Sequence, residues 1–86
     1  MNDLENLSQT MAKLKDGKEI HGFLKELLTE SETNVLSKRW RILNMLNSGA
    51  TQRQIVKELN VSLCKVTRGA RILKDKNAVI TKILKG

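Results

Sequence analysis

The chain has 86 residues, 40% of them hydrophobic, with a formal net charge of +7, two aromatic side chains and no proline. This length suits a single helical domain over residues 1–86. The chain is near the lower limit for a self-sufficient core, so we expect a second copy of the chain to complete that core. No stretch reaches the length of a transmembrane helix, and Met1-Asn2-Asp3 lacks the basic start of a signal peptide, so we expect a cytoplasmic protein without membrane association.

Apolar residues recur at helical spacing along the chain, which predicts an all-α fold of about six short helices. The apolar stripe of the first helix consists of Leu4, Leu7, Met11 and Leu14. Asp3 is its expected N-cap, and the helix should break at Asp16-Gly17. A second helix is expected from about Lys18 to Leu28.

Thr29 opens the third helix, and Glu32 three residues later completes the pattern of a capping box. This longest helix should run over about 30–47, with Gly49 as its C-cap. We expect Trp40 at the centre of the core, within a buried surface made of Val35, Leu36, Trp40, Leu43, Met45 and Leu46. A basic cluster on the same helix either forms a solvated face or points an arginine toward a ligand or a phosphate. It consists of Lys38, Arg39 and Arg41.

The stretch from Thr51 to Lys74 has the pattern of two short helices joined by a tight turn. Thr51 and Ser62 are N-cap candidates, Asn60 tolerates the left-handed conformation of a sharp turn, and Val61 is an apolar plug. The side chains expected between the two helices are Ile55, Val56, Leu59, Leu63, Val66, Ala70 and Leu73. The second helix should turn outward Cys64, Lys65, Thr67, Arg68 and Arg71. This pattern predicts a helix-turn-helix over about 51–74. A last short helix is expected to carry Val79, Ile80, Ile83 and Leu84.

Charge is divided unevenly along the chain. Residues 1–34 carry four basic against seven acidic side chains, a balance of −3, whereas residues 35–86 carry twelve against two, a balance of +10. A basic half of this density points to a polyanion, and nucleic acid is the commonest one. A solvated basic surface or a site for an acidic protein partner would give the same composition. Two aromatic side chains are few for stacking on single strands, which argues against an RNA-binding regulator.

Side chains with catalytic or metal-binding chemistry are few. Cys64 and His21 are each the only residue of their kind, so we expect neither an internal disulfide nor a zinc site. No nucleophile–base pair, carboxylate dyad or glycine-rich phosphate loop occurs in the sequence. We therefore expect that the protein is not an enzyme and holds no metal.

Four segments resemble the tryptophan repressor family, and the resemblance runs over about 23–74. They are Leu27–Glu32 (LLTESE), the Arg39-x-Arg41-Ile42 step, Gln52–Ile55 (QRQI) and Val66–Leu73 (VTRGARIL). The last, at that distance after a Gln-Arg helix, is the most specific. The resemblance implies an intertwined, all-helical homodimer that acts as a sequence-specific transcriptional repressor. Its two helix-turn-helix heads would enter successive major grooves of a duplex operator about 34 Å apart, a spacing known from the tryptophan repressor itself and its relatives.

The same resemblance implies which residues would meet DNA. Gln52 and Arg53 match the start of the first head helix, and an arginine there can donate two hydrogen bonds to guanine. The start of the recognition helix would be Ser62, Leu63, Cys64, Lys65 and Thr67. Lys74 would contact a backbone phosphate.

The family's corepressor pocket, which holds L-tryptophan, is matched in part. Arg39 and Arg68 match two arginines that stack on the two faces of the indole ring, a contact worth about 0.5–2 kcal/mol each. Gly69 would leave room for the ring. Thr29 matches a residue near the polar end of the ligand.

Two residues of this pocket depart from the family's small hydroxyl residues. Ile72 cannot hydrogen-bond an ammonium group, and Lys65 places another positive charge near it. We therefore expect this chain to keep the family's DNA binding to a greater degree than its response to tryptophan. The candidate corepressor is L-tryptophan or a related small aromatic ligand. The alternatives are a ligand-independent DNA-binding protein of the same family, or a helical protein–protein interaction module with an acidic partner.

Overall fold

The structure, a computed structural model, describes residues 2–86, and these form six helices. They are α1 (Asp3–Met11), α2 (Gly17–Leu27), α3 (Glu30–Asn47), α4 (Gln52–Leu59), α5 (Leu63–Lys74) and α6 (Val79–Lys85). The predicted all-α class and the number of helices are confirmed. The chain divides into two compact units, the first ending at Thr33 and the second comprising Asn34–Gly86. That the chain works as a single domain stays a prediction.

Side-chain caps fix where the helices of the first unit begin. The Asn2 Oδ1 accepts a hydrogen bond of 2.8 Å from the Glu5 N–H, so Asn2 is the N-cap of α1 and the prediction of Asp3 is wrong. Asp3 is the first helical residue, where its charge complements the positive end of the helix dipole. The Asp16 Oδ1 accepts a 2.9 Å bond from the Glu19 N–H, which starts α2 one residue before the predicted position.

The predicted capping box at the start of α3 is confirmed. The Thr29 Oγ1 accepts from the Glu32 N–H at 3.1 Å, and the Glu32 Oε1 accepts from the Thr29 N–H at 2.9 Å. The pKa of the Glu32 carboxyl is held below its ordinary value of 4.5. The larger cause is the hydrogen bond from the Thr29 backbone N–H, and the smaller one is the hydrogen bond with the Thr29 side chain. Because the folded-state pKa is depressed, the cap contributes to stability above pH 4.5 and loses that contribution as the pH falls through the folded-state pKa.

The most deeply buried cluster of the second unit contains one aliphatic side chain from each of three helices. Ile42 of α3, Ile55 of α4 and Val66 of α5 are at most 2% exposed and pack as one cluster. Trp40 is 49% exposed, so the prediction that it forms the centre of the core is wrong. Trp40 lies two positions before Ile42, about 200° around the helix, and is therefore on a different side of α3 from the side chain that packs in the core.

Two caps fix the connection between α3 and α4. Gly49 ends α3 as predicted, with φ 98°, and its N–H donates to the Leu46 carbonyl at 3.1 Å. The predicted N-cap Thr51 is confirmed, and its Oγ1 accepts from the Gln54 N–H at 3.1 Å. The Gln54 Oε1 accepts in return from the Thr51 N–H at 2.9 Å. This second capping box follows the Thr-x-x-Gln pattern of the sequence.

A three-residue turn joins α4 to α5. Asn60 has φ 53° and ψ 51°, the predicted left-handed conformation, and Val61 packs against the core. The Ser62 Oγ accepts from the Lys65 N–H at 3.3 Å, which confirms Ser62 as the N-cap of α5. Leu63 is 57% exposed, so the prediction that it faces α4 is wrong.

Helix α5 is held by both α3 and α6. At Gly69 an added Cβ would lie 3.2 Å from Ile42 Cγ2 and 3.3 Å from Leu46 Cδ1, closer than ordinary van der Waals contact. The missing side chain therefore lets the backbone of α5 approach α3. The buried Thr81 of α6 donates its hydroxyl to the Ile72 carbonyl of α5 at 2.6 Å.

Several large apolar side chains of the second unit stay exposed. They are Val35, Leu36, Trp40, Leu63, Val79 and Ile83. The prediction that Val35 and Leu36 are buried is thus wrong for the single chain, because α3 turns only the side that carries Ile42 and Leu43 toward the core. One copy of the chain covers only part of its apolar surface.

We predict that Asn60→Ala lowers the free energy of unfolding by about 1 kcal/mol, because alanine lacks the local hydrogen bonding that eases the left-handed conformation. Asn60→Gly is the matched control and should change it by less than about 0.5 kcal/mol, since glycine adopts this conformation freely. Urea unfolding followed by circular dichroism measures both variants. Equal losses in the two would contradict the conformational explanation.

Candidate functional site

The start of α5 carries most of the side chains that the sequence predicts at DNA. Ser62, Leu63, Cys64 and Lys65 are exposed, and Thr67 is half-buried. Within the first turns of α5, the residue turned into the core is Val66, with none of its surface exposed. The predicted contact residues therefore lie on the side of α5 that is not used for packing against the core.

The other residues predicted at DNA lie at the ends of α4 and α5. Gln52 and Arg53 are the first two residues of α4, Lys74 is the last residue of α5, and all three are exposed. The role of all eight residues at DNA stays a prediction.

The basic half of the chain has two carboxylates, and both have partners of their own. Glu58 Oε1 lies 3.6 Å from Arg41 Nη2, an exposed ion pair that links α4 to α3. Asp75 Oδ1 accepts a 2.9 Å hydrogen bond from the Asn77 N–H in the turn after α5. Among the described residues, neither carboxylate forms an ion pair with a basic side chain of α5.

A cavity of about 280 Å³ lies in the second unit, between α3, α5 and α6. Its apolar walls are Leu36, Trp40, Ile42, Leu43, Ile72 and Ile80. Its cationic groups are Arg39, Lys65 and Arg68, all exposed. Gly69 completes the wall on α5. We call this space the α3–α5 cavity.

The structure brings four of the five predicted ligand residues together in this cavity. Arg39 comes from α3, and Arg68, Gly69 and Ile72 come from α5. The fifth, Thr29, belongs to the first unit, where it caps α3. The space that a side chain at Gly69 would need is taken up by residues of α3, so this glycine serves helix packing as well as the cavity wall.

Sequence reasoning missed part of the cavity. The sequence predicts Lys65 at DNA and as a charge near the ligand, and its side chain lines the cavity. The sequence predicts Trp40 at the centre of the core, but Trp40 lines the cavity. Ile80 of α6 had no assigned role. The signal that could have found Trp40 is its position two residues from Ile42, which places it on another side of α3.

This arrangement can hold a flat, partly apolar molecule. The cavity exceeds the roughly 150 Å³ that accepts a benzene ring, and aliphatic and aromatic walls favour a ring system over a polar ligand. A guanidinium group can lie against an aromatic face. Arg39 and Arg68 supply one such group from each of two helices.

Within residues 2–86, no three His, Cys, Asp or Glu side chains are grouped so that they could hold a metal ion. No helix in this part of the chain is long and apolar enough to cross a membrane.

Comparison with known proteins places the chain in a family. The family model described as Trp repressor protein matches residues 2–86. Trp operon repressor homologs from the M23, Temecula1 and 9a5c strains of Xylella fastidiosa are each 38% identical over 74 residues, which is 85% of this chain and 80% of theirs. No solved structure gives a significant match. The chain therefore belongs to the Trp repressor protein family, a family of transcriptional repressors.

Proposed function

We propose that this repressor-type regulator binds duplex DNA sequence-specifically as a homodimer, with α4, the turn and α5 acting as a helix-turn-helix. The observation that carries the proposal is the exposed basic face of α5. The buried Val66 on the other side of this helix anchors it in the core. A helix with its side chains is about 10–12 Å across and fits a major groove about 12 Å wide.

Different residues would have different tasks at DNA. Arg53 would donate two hydrogen bonds to a guanine, and Gln52 lies beside it at the exposed start of α4. Lys74 would contact a phosphate, which fixes position without reading sequence. The exposed apolar Leu63 suits contact with a thymine methyl group. Ser62, Cys64, Lys65 and Thr67 would complete the surface that faces the groove.

The homodimer is supported by what the single chain leaves uncovered. Val79 and Ile83 of α6 are each about two-thirds exposed or more, at 71% and 67%, although α6 has helical apolar spacing. Leu36 and Trp40 of α3 are also close to half exposed. A second copy of the chain would bury such surface, and apolar burial contributes about 25 cal/mol per Å².

The α3–α5 cavity offers a way to regulate DNA binding. Lys65, Arg68, Gly69 and Ile72 belong to α5, so a ligand in the cavity would contact the same helix that meets DNA. L-tryptophan or a related aromatic molecule held there would favour one orientation of α5 over others. Regulation would be a population shift, and its size would equal the difference in ligand affinity between the two states.

We predict that affinity for a short palindromic duplex falls by about 10³-fold or more between about 50 and 200 mM salt, since phosphate contacts release bound counterions. Fluorescence anisotropy of a labelled duplex measures this. A decrease smaller than about tenfold would rule out the DNA-binding proposal. No binding even at low salt would favour the acidic protein partner instead.

Two charge-removing variants sharpen this experiment. Lys74→Gln should reduce the slope of log affinity against log salt by about 1, because it takes away one cation that would pair with a phosphate. Lys13→Gln removes an exposed charge from the first unit and should leave the slope unchanged. Equal effects of the two would mean that only net charge matters.

For the cavity, we predict that Ile72→Ser tightens the binding of L-tryptophan by about tenfold or more, and that a dissociation constant of the unchanged protein weaker than about 1 mM would mean that the cavity is closed to tryptophan or serves another ligand. The serine hydroxyl can accept a hydrogen bond from the ammonium group and leaves more space for the ring. Isothermal titration calorimetry measures both proteins. Leu63→Ser, on the same helix but outside the cavity, is the control. If Ile72→Ser had no effect, the explanation based on Ile72 would be wrong.

A further inference from the structure

We infer that Thr81 of α6 is a positioning residue for DNA binding. Its hydroxyl holds the last turn of α5, and that turn presents Arg71 and Lys74 to backbone phosphates, so that Arg71 is a phosphate contact in addition to those proposed above. This inference rests on the proposed function, because it names a residue that does not touch DNA and keeps α5 in the form that does. Three observations carry it: the buried hydrogen bond of Thr81, the anchoring of α6 at both ends, and the side of α5 on which Arg71 and Lys74 lie.

The hydroxyl of Thr81 closes the end of α5. The last four carbonyl groups of an α-helix have no partner within the helix, and helix ends fray. Because α5 ends at Lys74, the Ile72 carbonyl is one of these groups. It accepts from the Asp75 N–H at 3.1 Å and from the Thr81 Oγ1 at 2.6 Å. Thr81 is only 5% exposed, so water has little access to replace the second of these bonds.

Helix α6 is anchored near both of its ends by bonds to other helices. Its N-cap residue, Ala78, makes no side-chain cap bond, and a helix of seven residues is too short to be stable by itself. Near the start of α6, Thr81 bonds to α5. Near its end, the Leu84 carbonyl accepts a hydrogen bond of 3.3 Å from Asn47 Nδ2 of α3. Thr81 therefore ties the last turn of α5 to a helix that is itself tied to α3.

Arg71 and Lys74 lie on the side of α5 that would meet DNA. At about 100° per residue, their positions and that of Thr67 fall within about 60° of one another around the helix, and Thr67 is already proposed at the groove. Both side chains are exposed, and neither is in an ion pair within the described residues. Arg71 precedes Ile72 by one residue and Lys74 follows it by two. Both cations therefore belong to the turn whose backbone Thr81 holds.

An ordered last turn would raise the affinity for DNA. A cation on a frayed turn must be ordered when it pairs with a phosphate, and this loss of freedom reduces affinity. A turn that is already held by a buried hydrogen bond avoids most of that loss. The bond from Thr81 thus acts on DNA binding through Arg71 and Lys74, without any contact of its own.

Thr81→Val tests the inference, because valine is close to threonine in shape and lacks the hydroxyl. Binding to a short mixed-sequence duplex is measured by fluorescence anisotropy over a range of salt concentrations. We expect Thr81→Val to weaken binding at low salt by about threefold to tenfold and to reduce the slope of log affinity against log salt by about 1. Thr81→Ser keeps the hydroxyl and should restore affinity to within about twofold of the unchanged protein.

Combined variants separate positioning from a general loss of stability. If Thr81 acts through the last turn, Thr81→Val should have little further effect in a chain that already carries Arg71→Gln and Lys74→Gln. Added to Arg53→Gln, which removes a proposed contact at the start of α4, it should keep its full effect. Equal effects in the two backgrounds, or an unchanged salt slope, would overturn the inference.

Backbone ¹⁵N relaxation gives a test that does not depend on the folding of any variant. In the unchanged protein, the order parameters of residues 71–74 should be near the value of about 0.85 that is typical of rigid backbone. In Thr81→Val they should fall, while those of residues 64–68 stay the same. Order parameters below about 0.6 at 71–74 in the unchanged protein would contradict an ordered last turn.

The inference and the proposed function can fail separately. If the unchanged protein bound the duplex and Thr81→Val bound it equally well, the role of Thr81 would be wrong and the DNA-binding proposal would stand. If the unchanged protein did not bind the duplex at low salt, the proposed function would fail and the role of Thr81 at DNA with it.

Discussion

The close packing of α5 against α3 is the constraint on which both candidate surfaces depend. Gly69 allows the two helices to approach, and Ile42 and Val66 bury themselves at the contact with almost no exposed surface. This packing fixes which side of α5 faces outward and therefore which residues could meet DNA. The same packing leaves the α3–α5 cavity where the helices, together with α6, no longer fill the space. Substitution of the residues buried at this contact would therefore alter both candidate surfaces at once.

Lys65 lies where the two surfaces meet. It is an exposed residue of the first turn of α5, its N–H is held by the Ser62 cap, and its side chain lines the cavity. If α5 contacts DNA and the cavity holds a ligand, as proposed, the charge of Lys65 lies near both. Binding at one surface would then change the electrostatic environment of the other, so this side chain could couple the two proposed sites.

The sequence predicted most features that depend on local interactions, with the N-cap of α1 as an exception. The caps Thr29, Thr51 and Ser62 and the left-handed Asn60 follow from hydrogen bonding within a few residues, and all four are confirmed. The prediction that Arg39, Arg68, Gly69 and Ile72 share a ligand site came from the family resemblance, not from spacing alone.

What the sequence could not predict was which apolar side of each helix is used within one chain. Trp40 and Leu63 both fit an apolar stripe, yet both are exposed, because periodicity marks an apolar face without saying what covers it. The contact between α6 and α5 through Thr81 and Ile72 also has no local signature, since nine residues separate the two.

The central claim is that the outer face of α5, supported by α4, is the surface that contacts DNA. It is tested most directly by following the backbone N–H signals of ¹⁵N-labelled protein while a short mixed-sequence duplex is added at low salt. The account predicts that the largest changes fall on 52–53 and 62–67 and on Lys74, with small changes in α1 and α2. Changes concentrated in α1 and α2, with 62–67 unaffected, would contradict it.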